Sequence, residues 1–297
     1  MAFLGPNGTF THEAASSLGE ELVSYCSIPS VMGSVTTGEC SKGIVPIENS
    51  IEGPVGITLD LLAHKVDLNI EKELIIPISH NLLVDGDIYN IDGNKEDNVN
   101  ENKDIDSNDN HIIINNDIND IKDVYSHSQA LAQCQNYLEN HGIKTHFTLS
   151  TAAAAKFIKG KSGVGAIGTL KAAELYGLKA IDKNIQDIKN NKTRFVLLSK
   201  NKTKITGNDK TSILFSLFDD NPGGLHDILG VFAEYDINLT KIESRPSKEG
   251  LGKYIFFVDF EGHRDETNIS NILNTVEKKV SYMKILGSYP KANLDKS

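Results

Sequence analysis

The sequence NNKTRFVLLS at residues 190–199 passes from a polar, turn-rich segment into an apolar run of β-forming residues. The run predicts a buried strand, Phe195–Ser199, with Thr193 and Arg194 at its entrance. A hydroxyl in that place is fixed by the strand behind it and open to a cleft in front. Such a hydroxyl suits a proton donor or a group that orients a substrate. The alternative is that both residues simply tie a loop to a sheet edge.

The bulk composition indicates an ordinary globular protein of about two domains, with 297 residues, 39% hydrophobic and 24% charged. No apolar run approaches the ~20 residues of a membrane span, and no leader segment is predicted before the first strand. The cysteines Cys26, Cys40 and Cys134 lack metal or disulfide spacing. This usage predicts a reducing, cytoplasmic location.

The net charge of −10 is concentrated in one stretch, Asp87–Ile121, which holds 8 Asp and 2 Glu against 2 Lys. The remainder of the chain is close to neutral, so neither a nucleic-acid partner nor a membrane surface is predicted. The stretch is rich in Asn, Asp and Ile and has no clear period. We interpret it as an exposed, mostly disordered insertion, although a functional acidic segment is the alternative.

The first two thirds of the chain alternate predicted strands with predicted helices, which indicates α/β lobes with largely parallel sheets. The predicted strands are Ala2–Leu4, Gly43–Ile47, Leu74–Ile78, Asp123–Tyr125, Thr145–Leu149 and Val164–Ile167. The predicted helices are one opened by residues 9–15, then Thr58–His64, Ala130–Asn140, Ala152–Lys159 and Leu170–Tyr176.

One glycine motif, Gly163–Gly168, satisfies the GxGxxG pattern of dinucleotide sites, with Asp187 about 20 residues further on. That pattern must follow a strand and open a helix, whereas this segment follows a helix and is itself the predicted strand. No nucleotide is therefore predicted here. The nine histidines are dispersed without metal-binding spacing, so no metal or organic cofactor is predicted either.

Hydroxyl side chains recur at predicted helix starts that follow strands, namely Thr9–Thr11, Ser126–Ser128 and Ser150–Thr151. Each start offers free N–H groups, the positive end of a helix dipole and hydroxyl donors. In an α/β lobe such ends gather at the carboxyl edge of the sheet, which the loop Glu48–Gly53 joins. The pattern predicts a small polycarboxylate ligand held by neutral donors. The alternative is routine helix capping, with Thr11 as the first cap.

The last third of the chain predicts a separate module after a polar linker, Asn201–Lys210. Its elements follow the order βαββαβ, which is ferredoxin-like. They are the strands Thr211–Phe218, Asn238–Arg245, Tyr254–Phe260 and Tyr282–Ser288, and the helices Leu225–Tyr235 and Asp265–Lys279. Small modules of this kind often pair.

Five segments together resemble the prephenate dehydratase family of bacteria and archaea. They are GPNGTFTHEAA (5–15), GIVPIENSIEGPVGITLDLL (43–62), VYSHSQALAQC (124–134), KTRF (192–195) and NLTKIESRP (238–246). The resemblance implies a catalytic domain over residues 1–200, two-lobed and periplasmic-binding-protein-like (type II). Lobe 1 would be 1–78 with 181–200, and lobe 2 would be 79–180 with the insertion 87–121. The linker 201–210 and an ACT regulatory domain, 211–290, would follow.

The resemblance implies dehydration and decarboxylation of prephenate to phenylpyruvate in phenylalanine biosynthesis, without a cofactor. Thr193 matches the essential threonine of the family's TRF motif. Further motif residues are expected to bind the substrate, namely Thr9, Thr11, Asn49, Ser50, Ser126, Gln129, Ser150, Thr151, Arg194 and Phe195. The usual SHPQAL motif reads SHSQAL here, with Ser128 in place of proline, and serine is still expected to cap the helix.

The resemblance also implies feedback by L-phenylalanine and a homodimer or homotetramer. The expected effector residues lie at a helix start and at the end of the neighbouring strand, namely Asn221, Pro222, Gly223, Gly224, Leu225, His226, Glu243, Ser244, Arg245 and Pro246. The helix start offers free N–H groups to a carboxylate, and the strand end can receive an ammonium group. The usual GAL motif reads Gly223-Gly224-Leu225. An ordinary cap, with Arg245 in a surface ion pair, is the alternative.

Two other functions remain open from the sequence. An arogenate dehydratase would act on a substrate with an amino group, which Glu48 or Glu52 could favour. A non-catalytic amino-acid sensor would keep the same fold without chemistry, although the intact sequence at 193–195 speaks against it.

Overall fold

A computed structural model describes residues 1–89, 118–218, 221–250 and 252–292. The chain forms two compact units. The first contains Met1–Leu4, Ala14–Pro77 and Lys192–Ser297, and the second contains Gly5–Glu13 and Ile78–Asn191. The units differ from the predicted lobes because residues 5–13 and 181–191 belong to the second unit. No helix in the described part of the chain is long and apolar enough to span a membrane.

The regular elements are numbered in chain order. The strands are β1 (Ala2–Leu4), β2 (Val23–Tyr25), β3 (Lys42–Asn49), β4 (Gly53–Pro54), β5 (Asn69–Pro77), β6 (Asn81–Asp85), β7 (Asp123–Ser126), β8 (Lys144–Phe147), β9 (Val164–Gly168), β10 (Leu178–Asp182), β11 (Lys192–Ser199), β12 (Asp209–Ser216), β13 (Leu239–Pro246), β14 (Tyr254–Glu261) and β15 (Tyr282–Pro290). The helices are α1 (Phe10–Ser16), α2 (Ile28–Thr37), α3 (Gly56–His64), α4 (Ser128–Ala132), α5 (Gln135–Asn140), α6 (Thr151–Ile158), α7 (Leu170–Tyr176), α8 (Gly224–Glu234) and α9 (Thr267–Lys279).

The first sheet has the strand order β2-β1-β3-β11-β5, with β4 paired to β3. Its first three strands are parallel, whereas β11 runs antiparallel to both β3 and β5. The central place of β11 explains its buried apolar run, while the prediction of largely parallel sheets is wrong for this half of the sheet.

The second sheet has the order β10-β6-β9-β7-β8 and is also mixed. Strand β7 pairs in parallel with β8 and β9, while β6 is antiparallel to β9 and β10. The GxGxxG segment forms β9, so the interpretation as a strand is confirmed. The predicted helix Ala130–Asn140 is instead two short helices, α4 and α5. The break follows a tight turn in which the Cys134 N–H donates to the Leu131 carbonyl.

The predicted insertion Asp87–Ile121 is ordered at both of its ends. Tyr89 and Ile121 are buried in a core of the second unit with Val124 and Leu138. The Tyr89 hydroxyl also accepts a 2.9 Å hydrogen bond from the Gly163 N–H. The prediction of an exposed segment is therefore wrong at these ends. The interior of the insertion, 90–117, and its predicted disorder lie outside the described residues.

The last third forms the predicted βαββαβ unit, with an antiparallel sheet in the order β13-β14-β12-β15. Both of its helices pack on one face of this sheet. That core includes Ile213 and Phe215 from β12, Phe232 from α8 and Ile272 from α9. Because side chains alternate along a strand, Leu214 points to the opposite face.

That opposite face packs against the first sheet, so the last third shares a core with the rest of the first unit. One hydrophobic core joins its residues Leu214, Phe257 and Leu286 to Ile70 of β5 and Leu62 of α3. Burial of these apolar faces stabilises the two sheets as one body. The predicted linker joins elements that already share a core.

Candidate active site

Thr193, the second residue of β11, lies directly opposite Asn49, the last residue of β3. The Asn49 side-chain amide donates to the Thr193 hydroxyl oxygen at 2.8 Å and to the Lys192 carbonyl at 3.2 Å. Its oxygen accepts from the backbone N–H groups of Ile51 and Glu52, both at 3.0 Å. These two N–H donors, together with the Lys192 carbonyl acceptor, fix which end of the amide donates. Within the described part of the chain, the Thr193 hydroxyl makes no other hydrogen bond, so its proton is available to a ligand.

Ser50 holds the turn after β3 against β11. Its hydroxyl oxygen accepts from the Lys192 N–H at 2.9 Å, and its own N–H donates to the Lys192 carbonyl at 2.9 Å. These two bonds extend the strand pairing past Asn49. The structure therefore brings three predicted site residues together, Asn49, Ser50 and Thr193.

Arg194 faces away from this group and is bound on all sides. Its Nε donates to Glu73 at 2.8 Å, one terminal nitrogen donates to Asp259 at 2.5 Å, and the other donates to the Tyr289 hydroxyl at 2.7 Å. Burial alone would lower the pKa of Arg194, but the interactions with Tyr289, Asp259 and Glu73 hold it well above its usual value. The expectation that Arg194 binds substrate is corrected, because its guanidinium is already committed to these partners.

Two further predicted substrate residues lie in the interior. The Phe195 side chain is 2% exposed on the central strand of its sheet. Ser126 is fully buried, and its hydroxyl donates to the Ile167 carbonyl at 2.7 Å, which ties β7 to β9. Neither side chain is available to a ligand, so both expectations are corrected. Phe195 packs in the core of its sheet, and Ser126 joins two neighbouring strands.

At the helix starts of the second unit, some of the predicted hydroxyls are helix caps and others are not. Ser150 caps α6, as predicted, by accepting a 3.0 Å bond from the Ala153 N–H. For α1 the predicted cap Thr11 is wrong. Thr9 accepts from the His12 N–H at 3.3 Å, and Thr11 is buried inside the first turn.

The start of α4 departs from the prediction as well. Its cap is His127, whose ring nitrogen Nδ1 accepts from the Gln129 N–H at 3.4 Å. Ser128 is the first helical residue, a place that proline also favours. The replacement of proline by serine therefore preserves the helix start, although serine is not its cap.

Thr169 is a residue of the same kind that the sequence reasoning missed. It caps α7 by accepting from the Ala172 N–H at 2.9 Å, and it donates to the Gly8 carbonyl at 2.8 Å. Gly8 has a φ of +90°, and a Cβ there would lie 3.2 Å from Ala172, so glycine suits this close approach of the turn to α7. The sequence could have indicated Thr169, because it lies between a predicted strand and a predicted helix, as Ser126 and Ser150 do.

Comparison with known proteins identifies the family. A family model described as prephenate dehydratase matches residues 1–203, and an ACT domain model matches residues 211–278. The chain belongs to the prephenate dehydratase family. It is therefore a carbon–oxygen lyase with an α/β, periplasmic-binding-protein-like (type II) catalytic fold followed by a ferredoxin-like ACT domain.

Individual relatives cover nearly the whole dehydratase. The chain is 41% identical to the prephenate dehydratase of Methanocaldococcus jannaschii over 296 residues, which is 96% of each chain. It is 35% identical over 304 residues to that of Bacillus subtilis, covering 97% of this chain and 98% of the relative. A solved structure, the prephenate dehydratase of Arthrobacter aurescens in complex with L-Phe, has a TM-score of 0.80 at 30% identity. That match covers 100% of this chain and 90% of that one.

The expected effector residues of the ACT domain lie at the start of α8 and along β13. Gly223, at φ +88°, precedes α8, and the Gly224 N–H donates to the Asn221 carbonyl at 3.2 Å. On β13, Arg245 is engaged by Asp60 of α3 at 2.9 Å. Arg245 therefore forms the ion pair that the sequence analysis gave as the alternative to effector binding. Among the described residues of the dehydratase, no cluster of His, Cys, Asp and Glu could hold a metal ion.

Proposed function

We propose that this dehydratase converts prephenate to phenylpyruvate with Thr193 as the hydrogen-bond donor to the departing hydroxyl. The bond between the ring and its carboxylate breaks, and its electron pair completes the aromatic ring as hydroxide leaves. Carbon dioxide and water are the other products, and no oxidant or reductant is needed. Family membership and the Thr193 geometry support this reaction.

The observation that carries the proposal is the bond from Asn49 to Thr193. Because the Thr193 oxygen accepts from the amide, its proton is left to donate to a substrate oxygen. Threonine is a weak acid, so it would donate a hydrogen bond as negative charge grows on the leaving oxygen, and the net proton would come from water. A donor held in place before the reaction stabilises that charge without reorganisation.

Neutral donors would hold the substrate carboxylates. Ser150 and Thr151 offer a hydroxyl and free N–H groups at the start of α6. Thr9 lies at the start of α1, where its hydroxyl donates to the Pro6 carbonyl at 3.0 Å, so we include it on its motif position alone. Gln129 lies in the first turn of α4. Thr11 is kept among the proposed substrate-binding residues because of its motif position. Ser126, Arg194 and Phe195 are not, because their side chains are buried or already bonded.

We also propose that L-phenylalanine regulates the enzyme through the start of α8 and the end of β13, in a homodimer or homotetramer. The Phe-bound relative supports this proposal. The free cysteines, of which Cys40 and Cys134 are buried, fit a cytoplasmic location.

The deciding experiment measures phenylpyruvate by absorbance after the purified protein meets prephenate, with arogenate as the rival substrate. We expect prephenate to be strongly preferred and phenylalanine to lower the rate. Equal or greater turnover of arogenate would favour the second candidate, and no turnover of either would favour a sensor. Calorimetry showing no phenylalanine binding at millimolar concentration would contradict the regulatory part alone.

A further inference from the structure

Arg194 is the centre of a buried polar cluster that joins the first sheet to the ACT sheet. We define the Arg194 cluster as Arg194 with its partners and their own partners, namely Glu73, Lys210, Ser212, Asp259 and Tyr289. Of these, only Arg194 and Glu73 belong to the first sheet. The other four come from three strands of the ACT domain.

The cluster is closed by its own hydrogen bonds. Lys210 reaches both oxygens of Glu73 at 3.0 Å. The Ser212 hydroxyl donates to Asp259 at 2.5 Å and lies 2.5 Å from the Tyr289 hydroxyl. Arg194 and Lys210 thus meet Glu73 and Asp259 in the interior, and Glu48 is a further carboxylate 3.6 Å from Arg194. Because water does not replace a lost partner there, the groups are expected to shift together rather than singly.

The cluster begins at the residue directly after Thr193 on β11. Neighbouring side chains on a strand point to opposite faces, so the backbone of β11 lies between the Thr193 hydroxyl and the Arg194 guanidinium. The pairing of β11 with β3 shifts register just here, since Arg194 lies opposite Glu48 but Phe195 lies opposite Pro46. Such a bulge increases the local twist and changes the direction of nearby side chains. The direction of the Thr193 hydroxyl therefore depends on the groups that hold Arg194 in place.

We propose that Arg194 is a positioning residue through which the ACT domain sets the direction of the Thr193 hydroxyl. Asp259 on β14 and Tyr289 on β15 hold the guanidinium from the ACT side, and Glu73 on β5 holds it from the catalytic side. A shift of β14 or β15 relative to β5 moves Arg194 and turns the start of β11. The inference rests on the proposed role of Thr193 as donor.

The test removes one hydroxyl from the ACT side of the cluster in the full-length protein. Tyr289→Phe keeps the ring but leaves one guanidinium N–H without its partner. We expect kcat to fall roughly fivefold with KM nearly unchanged, since a misdirected donor weakens the transition state more than binding. The matched control is Tyr282→Phe, on the same strand but half exposed, which should leave kcat unchanged. Ser212→Ala is the second variant and should act in the same direction, should Tyr289→Phe fail to fold.

A double-mutant cycle separates positioning from general loss of structure. Tyr289→Phe is combined with Thr193→Ala, and the rate of each variant is measured after circular dichroism confirms folding. If Arg194 acts through Thr193, the Tyr289→Phe loss disappears once the hydroxyl is absent. A loss of equal size in both backgrounds would overturn the positioning role while leaving the donor role intact. Near-normal turnover by Thr193→Ala would overturn the donor role itself and this inference with it.

Discussion

Asn49 and Thr193 are 144 residues apart in the chain, yet they lie opposite each other on β3 and β11 with a hydrogen bond of 2.8 Å between them. The bond leaves the oxygen of Thr193 occupied and its proton available. Because both partners are held by strand pairing, the hydroxyl is directed before any substrate arrives. Preorganisation of this kind is what an uncharged donor needs in order to contribute to catalysis.

Replacement of Thr193 by alanine should lower kcat by about 10²–10⁴-fold, the usual contribution of a positioned donor. Thr193→Ser keeps a hydroxyl and should retain a measurable part of the rate. Phenylpyruvate formation under saturating prephenate provides the measurement. Thr275→Ala, whose hydroxyl bonds within the exposed face of α9, is the control and should match the unaltered enzyme. Equal rates for the serine and alanine variants would count against a hydroxyl donor.

Replacement of Asn49 by aspartate should lower kcat by roughly 10- to 100-fold, the cost of a lost hydrogen bond and a misdirected donor. A carboxylate has no N–H to donate, and it would itself accept the Thr193 proton that the substrate needs. Steady-state kinetics with prephenate give the comparison. Asn69→Asp, on β5 of the same sheet, introduces the same charge away from Thr193 and should have little effect. A normal rate for Asn49→Asp would show that the direction of this hydroxyl is unimportant.

Replacement of Gly287 by alanine should destabilise the protein by about 1–3 kcal/mol, as overpacking usually does. The backbone of β15 passes directly against β5, so a Cβ on Gly287 would lie 2.8 Å from the Ile70 nitrogen and closer still to its carbonyl oxygen. Melting temperatures followed by circular dichroism give the readout. Gly230→Ala is the matched substitution, since it lies within α8 with nothing within 4 Å of its Cβ.

We expect Gly230→Ala to raise the stability by up to about 1 kcal/mol, because alanine is the better helix former. Opposite signs for the two glycines would support the close packing of β15 on β5. An unchanged melting temperature for Gly287→Ala would contradict it.

Asp85 gives a pH-dependent prediction. Its burial alone raises the pKa, but bonds from the Gly160 and Asp87 N–H groups and from Lys159 outweigh this and hold the pKa below its usual 3.8. A lowered folded-state pKa contributes stability that is fully present above the unfolded value and is lost as the pH falls through the folded value. Asp85→Asn should therefore melt at a lower temperature than the unaltered protein at neutral pH.

The gap in melting temperature should close only as the pH falls below that usual value, where Asp85 itself becomes protonated. Asp227→Asn, an exposed position at the start of α8, serves as the control and should follow the unaltered protein throughout. A gap that has already vanished at about pH 5 would contradict the lowered pKa, because Asp85 would still be charged there.

The connection between the catalytic part and the ACT domain could not be predicted from the sequence. The predicted linker and the change in element order suggest independence, and both are local properties of the chain. The shared core of Leu214 and Ile70 depends on which face of each sheet is left uncovered. Which face is uncovered is decided only when the helices and sheets pack together. For the same reason, separate expression of residues 1–207 would expose this core, so the point variants above are the better tests.

The sequence by itself determined the elements and the chemistry that they carry. The apolar run of β11, the βαββαβ order and the strand–hydroxyl–helix pattern are local, because each depends on residues that are close in the sequence. The motif residues likewise indicated the family and singled out Thr193. Only the tertiary structure decided how neighbouring residues divide their roles. Thr193 meets Asn49 while Arg194, one residue on, is buried by Asp259 and Tyr289, since strand pairing and burial join residues that no local pattern relates.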